Sequence, residues 1–501
     1  MADATLAGAG SLGRADQGGI PRVSLAGIAW PAAVLGSLLV AAALGPGERL
    51  AIALPAMAAT GVAGVFAWRL GRRRRSGFEY FEVGVVYVAL VWLYTVFPLV
   101  GFLVNGPRQT PANDLRLYLF RPSAGELGLI GWYHVAHLAA FAAAYLLWRG
   151  RATVRKIGFR GPDRATVTAV ALVYLVILTY VLFLHLYFDL SSGTYLESYL
   201  AYKRLPLVHA QLFNHLASVG GARFILELVV LAALFADYRR WRLVIAGWLA
   251  VMASLAFVRL GNRTELVLFA GAVLMMYHYR VRQLRLCTVA ACGLMGVSVF
   301  LLLGWLRQEV AGINTTGIDP IFGYATEFEN NFANAYDLGR LRALGLIQNL
   351  PTAFYLADLL ALVPQQLLPI EKISPAVWYV NTFYPIYAAA GGGLAFGSIA
   401  ESVLGGGWLD AAARGGALGL ILALVYRWHA RAGGRLWPFI LYVWLTVLVY
   451  NSFRGTTFML LGLFAYRFVP VWLGVTLLSN MLRTVPRRGD VMTGARPVQI
   501  G

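Results

Sequence analysis

Charge is what this sequence has least of. Of its 501 residues only 13% are Asp, Glu, Lys or Arg, against 59% hydrophobic, where an ordinary soluble domain carries roughly a quarter charged residues. A water-soluble globular protein is excluded. Cysteine is down to Cys287 and Cys292, both inside one apolar run. That gives neither a disulfide framework nor a paired Cys-x-x-Cys metal site, and both read as packing residues. No Asp-x-Asp occurs, Glu327-Phe-Glu329 being the nearest substitute, so neither a divalent metal nor any other cofactor is implied. Histidine is sparse: His209 and His215 are too far apart for a helical metal pair, and His134, His137 and His185 fall in apolar runs as packing residues. Internal repeats are missing, as is the symmetry between halves that inverted-repeat transporters often keep.

What is present in quantity is apolar chain of membrane-crossing length. A hydrocarbon core of about 30 Å needs roughly 20 apolar residues in a helix. Stretches of that kind, some of them short, lie near 23–44, 50–68, 80–104, 128–148, 165–188, 223–237, 243–258, 264–279, 286–306, 411–426, 437–452 and 456–479. The expected fold class is therefore an all-α polytopic membrane protein of about twelve transmembrane helices. The expected layout is a disordered tail over 1–22, nine spans over 23–306, an outer loop over 307–410, three spans over 411–480 and a second tail over 481–501. The last stretch contains Arg467 and Pro470, which predicts a shorter span followed by an interfacial helix.

Short basic loops mark the cytoplasmic side. One face collects Arg72, Arg73, Arg74 and Arg75, then Arg149, Arg151, Arg155 and Lys156, Arg239 and Arg240, Arg280 and Arg282, Arg427 and Arg431, and finally Arg487 and Arg488. Every second connection is basic, so both termini are expected inside. Assigned this way, the whole formal excess of +19 is cytoplasmic. Without basic-aromatic clusters in polar segments, that charge does not point to nucleic acid.

Arginines that break this trend need another reason to sit at the outer surface. Arg259 and Arg263 flank a short turn in Arg259-Leu-Gly-Asn-Arg-Thr-Glu265; if that turn is helical, both share one face. Arg307 follows a span, and Arg454 stands in Asn451-Ser-Phe-Arg-Gly455. Guanidinium forks match phosphate oxygens bidentately and keep their charge, so the set suits a diphosphate at the membrane surface. The plainer reading pairs them with Glu265 and Glu309 as interfacial anchors.

The outer loop of about a hundred residues carries amphipathic runs over 332–346 and 352–362, broken by Pro351, Pro364 and Pro369, and predicts interfacial helices. Lys372 closes this proline-rich segment and can add positive charge to a phosphate site. Next comes Gly391-Gly-Gly-Leu-Ala-Phe-Gly-Ser-Ile-Ala-Glu401. Gly392 and Gly393 permit close approach of backbone to a ligand, with Ser398 beside them. Glu401 is read either as acceptor of a sugar hydroxyl's proton or as a salt-bridge partner of an arginine. His215 and Glu265 are further candidate sugar contacts.

This glycine-rich run ending in Ala-Glu401 resembles the Wzy-type oligosaccharide repeat-unit polymerases, with Ala395 standing where a further glycine is expected. The proline-rich 358–372 segment, the Arg259/Arg263 turn and the late Ser-Phe-Arg454-Gly agree with it. The resemblance implies a GT-C-like glycosyltransferase of the bacterial inner membrane, related to the O-antigen ligases, with its site facing the periplasm. It further implies an undecaprenyl-diphosphate-linked glycan donor, a lipid-linked repeat unit as acceptor, and a chain-length regulator and flippase as partners. On that reading Arg259, Arg263 and Arg454 hold the diphosphate, Arg307 and Lys372 support them, and Glu401 serves the acceptor hydroxyl. Two alternatives stay open: an O-antigen ligase, with His215 as its functional histidine, and a flippase or transporter.

The topology has a direct test. In cysteine-labelling of intact cells, Gly317→Cys is expected to react with a membrane-impermeant thiol reagent, and Gly434→Cys only after permeabilisation. The reverse pattern would invert the orientation.

Overall fold

The computed structural model describes residues 47–72, 79–105, 122–150, 161–187, 207–259, 263–310, 327–347, 350, 352–383, 385 and 396–484. Every regular element among them is helical. Among the described residues five helices are long and apolar enough to cross a membrane: Gly47–Arg72, Val83–Leu103, Ala124–Trp148, Trp408–Arg431 and Met459–Thr484. In chain order, α1 is Gly47–Arg72, α2 Val83–Asn105, α3 Ala124–Trp148, α4 Arg164–Tyr187, α5 Leu207–Ala236, α6 Tyr238–Arg259, α7 Arg263–Arg280 and α8 Leu286–Val310. The later segment holds α9 Glu327–Ala343, α10 Thr352–Tyr355, α11 Ala357–Leu360, α12 Pro375–Phe383 and α13 Ser398–Leu404. It is followed by α14 Trp408–Arg431, α15 Leu436–Leu448, α16 Asn451–Arg454, α17 Met459–Leu463 and α18 Val469–Thr484. The expected stretches from 50–68 onward coincide with helices; the stretch 23–44 and both terminal tails lie outside the described residues, apart from 481–484.

Helix α3 is the axis of the bundle, and its start is written in the sequence. Ser123 and Glu126 form a reciprocal capping box, the Glu126 amide donating to Ser123 Oγ at 3.2 Å and the Ser123 amide to Glu126 Oε2 at 2.9 Å; this satisfies amides that a helix start leaves unpaired. Further along, small residues let α14 lie directly on α3. A Cβ on Gly415 would stand 2.2 Å from the His137 carbonyl oxygen, and one on Gly419 2.5 Å from that of Phe141. This Gly-x-x-x-Gly face meets its partner backbone to backbone, the packing available where apolar lipid removes the hydrophobic drive for helix pairing.

Helices α17 and α18 continue one another through a π turn over Phe464–Phe468. Pro470 supplies no amide for the carbonyl one turn back, and the wider turn absorbs the missing bond. The predicted short span with a separate interfacial helix is thus replaced by one continuous helix. The amphipathic run over 332–346 also differs from expectation. Helix α9 does form, but Asn331, Asn334 and Asp337 are buried beside Phe328 and Phe332, and the helix packs against α2 and α13.

At the opposite end from α9, a buried ionic cluster ties four helices. Arg149 and Glu82 pair with side chains 1% and 0% exposed; the Arg149 Nη2–Glu82 Oε2 distance is 3.0 Å, and Tyr145 donates to Glu82 at 2.9 Å. Glu79 accepts hydroxyls from Tyr279 and Tyr426, and the Arg149 guanidinium lies over the Tyr426 ring at 5.1 Å. Arg149 is therefore a buried structural cation, where the charge pattern alone places it with the orienting loop arginines.

Removing one partner strands the other charge. Arg149→Met is expected to cost about 3–5 kcal/mol, while Arg149→Met with Glu82→Leu recovers most of it. Thermal unfolding in detergent distinguishes the two variants. Equal stability of both would remove the pair from the account.

Candidate functional site

The site is assembled where α13, the turn after α16 and the first turns of α14 meet. Helix α13 begins at Ser398, after Gly397 at φ 90°, a left-handed conformation that a Cβ disfavours. Its far end is fastened from α9: Arg342 Nη1 donates to the carbonyls of Val403, Leu404 and Gly405 at 2.8, 3.0 and 3.1 Å. Tyr355 adds a hydrogen bond to Leu404 O at 3.1 Å. A cation at a helix C-terminus meets both the unpaired carbonyls and the helix dipole. So held, all seven residues of α13 are buried, Glu401 among them.

Glu401 faces Arg414. Arg414 Nη1 donates to Glu401 Oε2 at 2.9 Å and its Nε to Asp410 Oδ2 at 3.0 Å. The same Oε2 accepts from the amide and hydroxyl of Thr457 at 2.9 and 2.7 Å. Oε1 accepts no hydrogen bond from the described residues. One residue on either side, a second carboxylate grips the same turn: Asp358 accepts from Thr456 Oγ1, and from the Phe458 amide at 2.7 Å. Burial pushes the Glu401 carboxyl from its ordinary 4.5 up to about 7; the Arg414 charge opposes the rise, the Asp358 charge adds to it, and the Thr457 bonds oppose it. Asp358 is raised as well, chiefly by burial, against its Thr456 and Phe458 hydrogen bonds and Arg414. A carboxyl titrating near neutrality suits proton exchange with a reacting hydroxyl.

The other expected site residues fare differently. Ser398 shares α13 with Glu401, a turn away. Arg259 ends α6 and Arg263 begins α7, so they belong to different helices and do not share one helical face. Arg307 lies near the end of α8 and His215 within α5; the side chains of all four lie outside the described residues, as do Gly392 and Gly393. Arg454 is half-buried at the end of α16, just before Thr457, and Lys372 is half-buried in the segment leading to α12. Glu265 pairs with Arg223 at 3.1 Å, which also holds Glu227 at 3.0 Å, tying α7 to α5.

The residues that sequence reasoning missed are Arg414, Asp410, Arg342 and Thr457. Arg414 had a signal: an ionisable residue inside an otherwise apolar stretch, four after an aspartate. Among the described side chains that pair directly here, carboxylates outnumber the guanidinium, so this part of the site is acid-rich where a basic cradle was expected. No group of three or more His, Cys, Asp or Glu among the described residues is arranged to hold a metal ion. Comparison of the chain with protein-family models, curated proteins and solved structures finds no match.

The Glu401 shift fixes a pH dependence. A carboxyl whose folded-state pKa is raised stabilises the fold fully below its unfolded value of 4.5, and that contribution is lost as pH rises through about 7. Glu401→Gln is expected to flatten this descent in a series of thermal unfolding curves across that range. An unchanged slope would show that Glu401 titrates at its ordinary value.

Proposed function

We propose that the protein is a metal-independent membrane glycosyltransferase that polymerises oligosaccharide repeat units carried on undecaprenyl diphosphate. In this reading twelve helices span a bacterial inner membrane, both termini are cytoplasmic, the arrangement is GT-C-like, and the Glu401 site faces the periplasm. The observation that carries it is the division of labour within one carboxylate. Oε2 of Glu401 is saturated by Arg414 and Thr457, which fixes its position, while Oε1 is left to meet a substrate proton.

The chemistry then runs in one displacement. The hydroxyl at the non-reducing end of the acceptor repeat unit attacks the anomeric carbon of the donor glycan, and its proton passes to Glu401 Oε1. The bond from that carbon to the phosphate oxygen breaks, and undecaprenyl diphosphate leaves with the electron pair. Arg259, Arg263, Arg307, Arg454 and Lys372 are assigned the charge that develops on it, the service arginines perform at phosphoryl leaving groups. Partners expected on this reading are a flippase that delivers repeat units and a chain-length regulator.

Purified protein given a synthetic undecaprenyl-diphosphate repeat unit in the presence of EDTA is expected to produce a ladder with one repeat per rung. Glu401→Gln should lower the rate by about 10²–10⁴-fold, the usual contribution of a positioned acid or base, and leave donor binding in place. Arg263→Lys should also lose activity, because an ammonium keeps the charge without the fork. Transfer to a lipid A core acceptor instead would make the protein a ligase, and movement of the lipid-linked unit across liposomes without transfer would make it a flippase.

A further inference from the structure

Behind Glu401 the bundle encloses polar atoms that it does not satisfy. Four residues at most 2% exposed, His134, Asn331, Ser398 and Ser452, each present an atom without a hydrogen-bond partner among the described residues: His134 Nε2, Asn331 Oδ1, Ser398 Oγ and Ser452 Oγ. They come from four helices, α3, α9, α13 and α16, and contacts of Phe453 and Asn331 connect them. Phe453, next to Ser452, has its ring 5.4 Å from that of His134 and 5.9 Å from that of His137. Its carbonyl accepts from Asn331 Nδ2 at 3.4 Å. The Asn331 side chain in turn lies 3.4 Å from where a Cβ of Gly397 would be, beside Ser398.

Buried polar groups in folded proteins are almost always paired, and an orphan costs its full desolvation penalty. Four such losses in one place would be a large fraction of the net stability of a folded domain. Random misfit does not explain their convergence. The polarity of at least one is fixed by its neighbours. Thr95 donates its hydroxyl proton to Val91 O at 2.6 Å, so its contact with His134 Nδ1 at 3.0 Å requires that nitrogen to be the donor. In the neutral ring Nε2 is then a bare acceptor. Asn331 Oδ1 is an acceptor too, while Ser398 and Ser452 can give or take a hydrogen bond. None of the four is a carboxylate, lysine or arginine, so none of them could neutralise an ion there.

We infer that these atoms line a buried binding site for neutral O–H groups, either bound water or the hydroxyls of a saccharide. An O–H group is what two bare acceptors and two adaptable hydroxyls jointly require, and a buried water typically makes about three such bonds. The site adjoins Glu401 through α13, where Ser398 and Glu401 lie three residues apart and hence on one face. It stands without the polymerase reading.

X-ray radiolytic labelling of the purified full-length protein tests it, because radicals formed from bound water oxidise the side chains that touch it even when these are buried. Phe453 and His134 are expected to label several-fold faster than Phe66 and Phe141, which are equally buried. Labelling as slow as that of Phe141 would overturn the inference. Adding the undecaprenyl-diphosphate repeat unit separates the two sources. Protection of Phe453 means that a sugar hydroxyl takes the site; an unchanged rate means water alone; both support it. A second measurement is Asn331→Leu, expected to lower Tm and abolish the labelling. A raised Tm would mean that the orphan atoms are dry and count against the site. Failure of the ladder assay with positive labelling would dismiss the polymerase and leave the site standing.

Discussion

A guanidinium within an apolar stretch is tolerated only where carboxylates and dipoles meet it, and at the Glu401 end of the bundle that requirement falls on Arg414. Asp410, one turn back on the same helix, satisfies one nitrogen; Glu401, from a separate short helix, satisfies another. The pairing decides where α13 must lie, and with it the Thr457 turn that shares the same carboxylate oxygen. Arg342 fastens the other end of α13 through three carbonyls. A seven-residue helix too short to persist alone is thereby held at its middle and at its C-terminal end by arginines from two other helices.

The Arg149–Glu82 pair meets the same requirement at the opposite end by different means. There the aromatic hydroxyls of Tyr145, Tyr279, Tyr426 and Tyr442 share the solvation of Glu79, Glu82 and the nearby backbone. Arg149 is 1% exposed and bonded through Nε and Nη2. Arg414 keeps more exposure, 11%, beside a carboxylate oxygen that takes no described hydrogen bond. One cluster is closed and structural; the other is built on comparable pairing but left partly open. Between them α14 rests on α3 through Gly415 and Gly419, and no bulky side chain separates the two backbones.

Much of this was legible in the sequence for a simple reason: apolar runs long enough to form helices state their own extent, although the stretch expected at 128–148 began after the Ser123-x-x-Glu126 box that starts α3. Glu401 was legible as a carboxylate among glycines. Its partner was not, because Arg414 falls inside a stretch that hydropathy reads as a span, and only three-dimensional packing shows which side chain it meets. Arg149 was misread for the converse reason: a basic residue at the end of an apolar run looks the same whether it orients a loop or neutralises a buried Glu82 from a distant helix. Asp358 meets Thr456 and Phe458 across about a hundred residues, a separation that no local pattern encodes.

The acid-rich character of the Glu401 cluster bears on what it can do. Two carboxylates clasp adjacent residues of one turn, and the Asp358 charge disfavours ionisation of Glu401 while Arg414 favours ionisation of both. Burial is the main cause of both shifts, and for Glu401 the net result is a proton affinity near neutrality, where neither a fully solvated carboxylate nor one in an exposed salt bridge would titrate. On the proposed reading a diphosphate would be disfavoured beside these carboxylates, so of the arginines assigned to it those other than Arg454, which precedes the Thr457 turn, are expected to stand apart from Glu401. That separation suits a displacement at carbon, in which the proton leaves from the attacking hydroxyl on one face and charge builds on the leaving oxygen at the other. Arg259, Arg263 and Arg307 stand at the ends of α6, α7 and α8, helices distinct from α13 and α14.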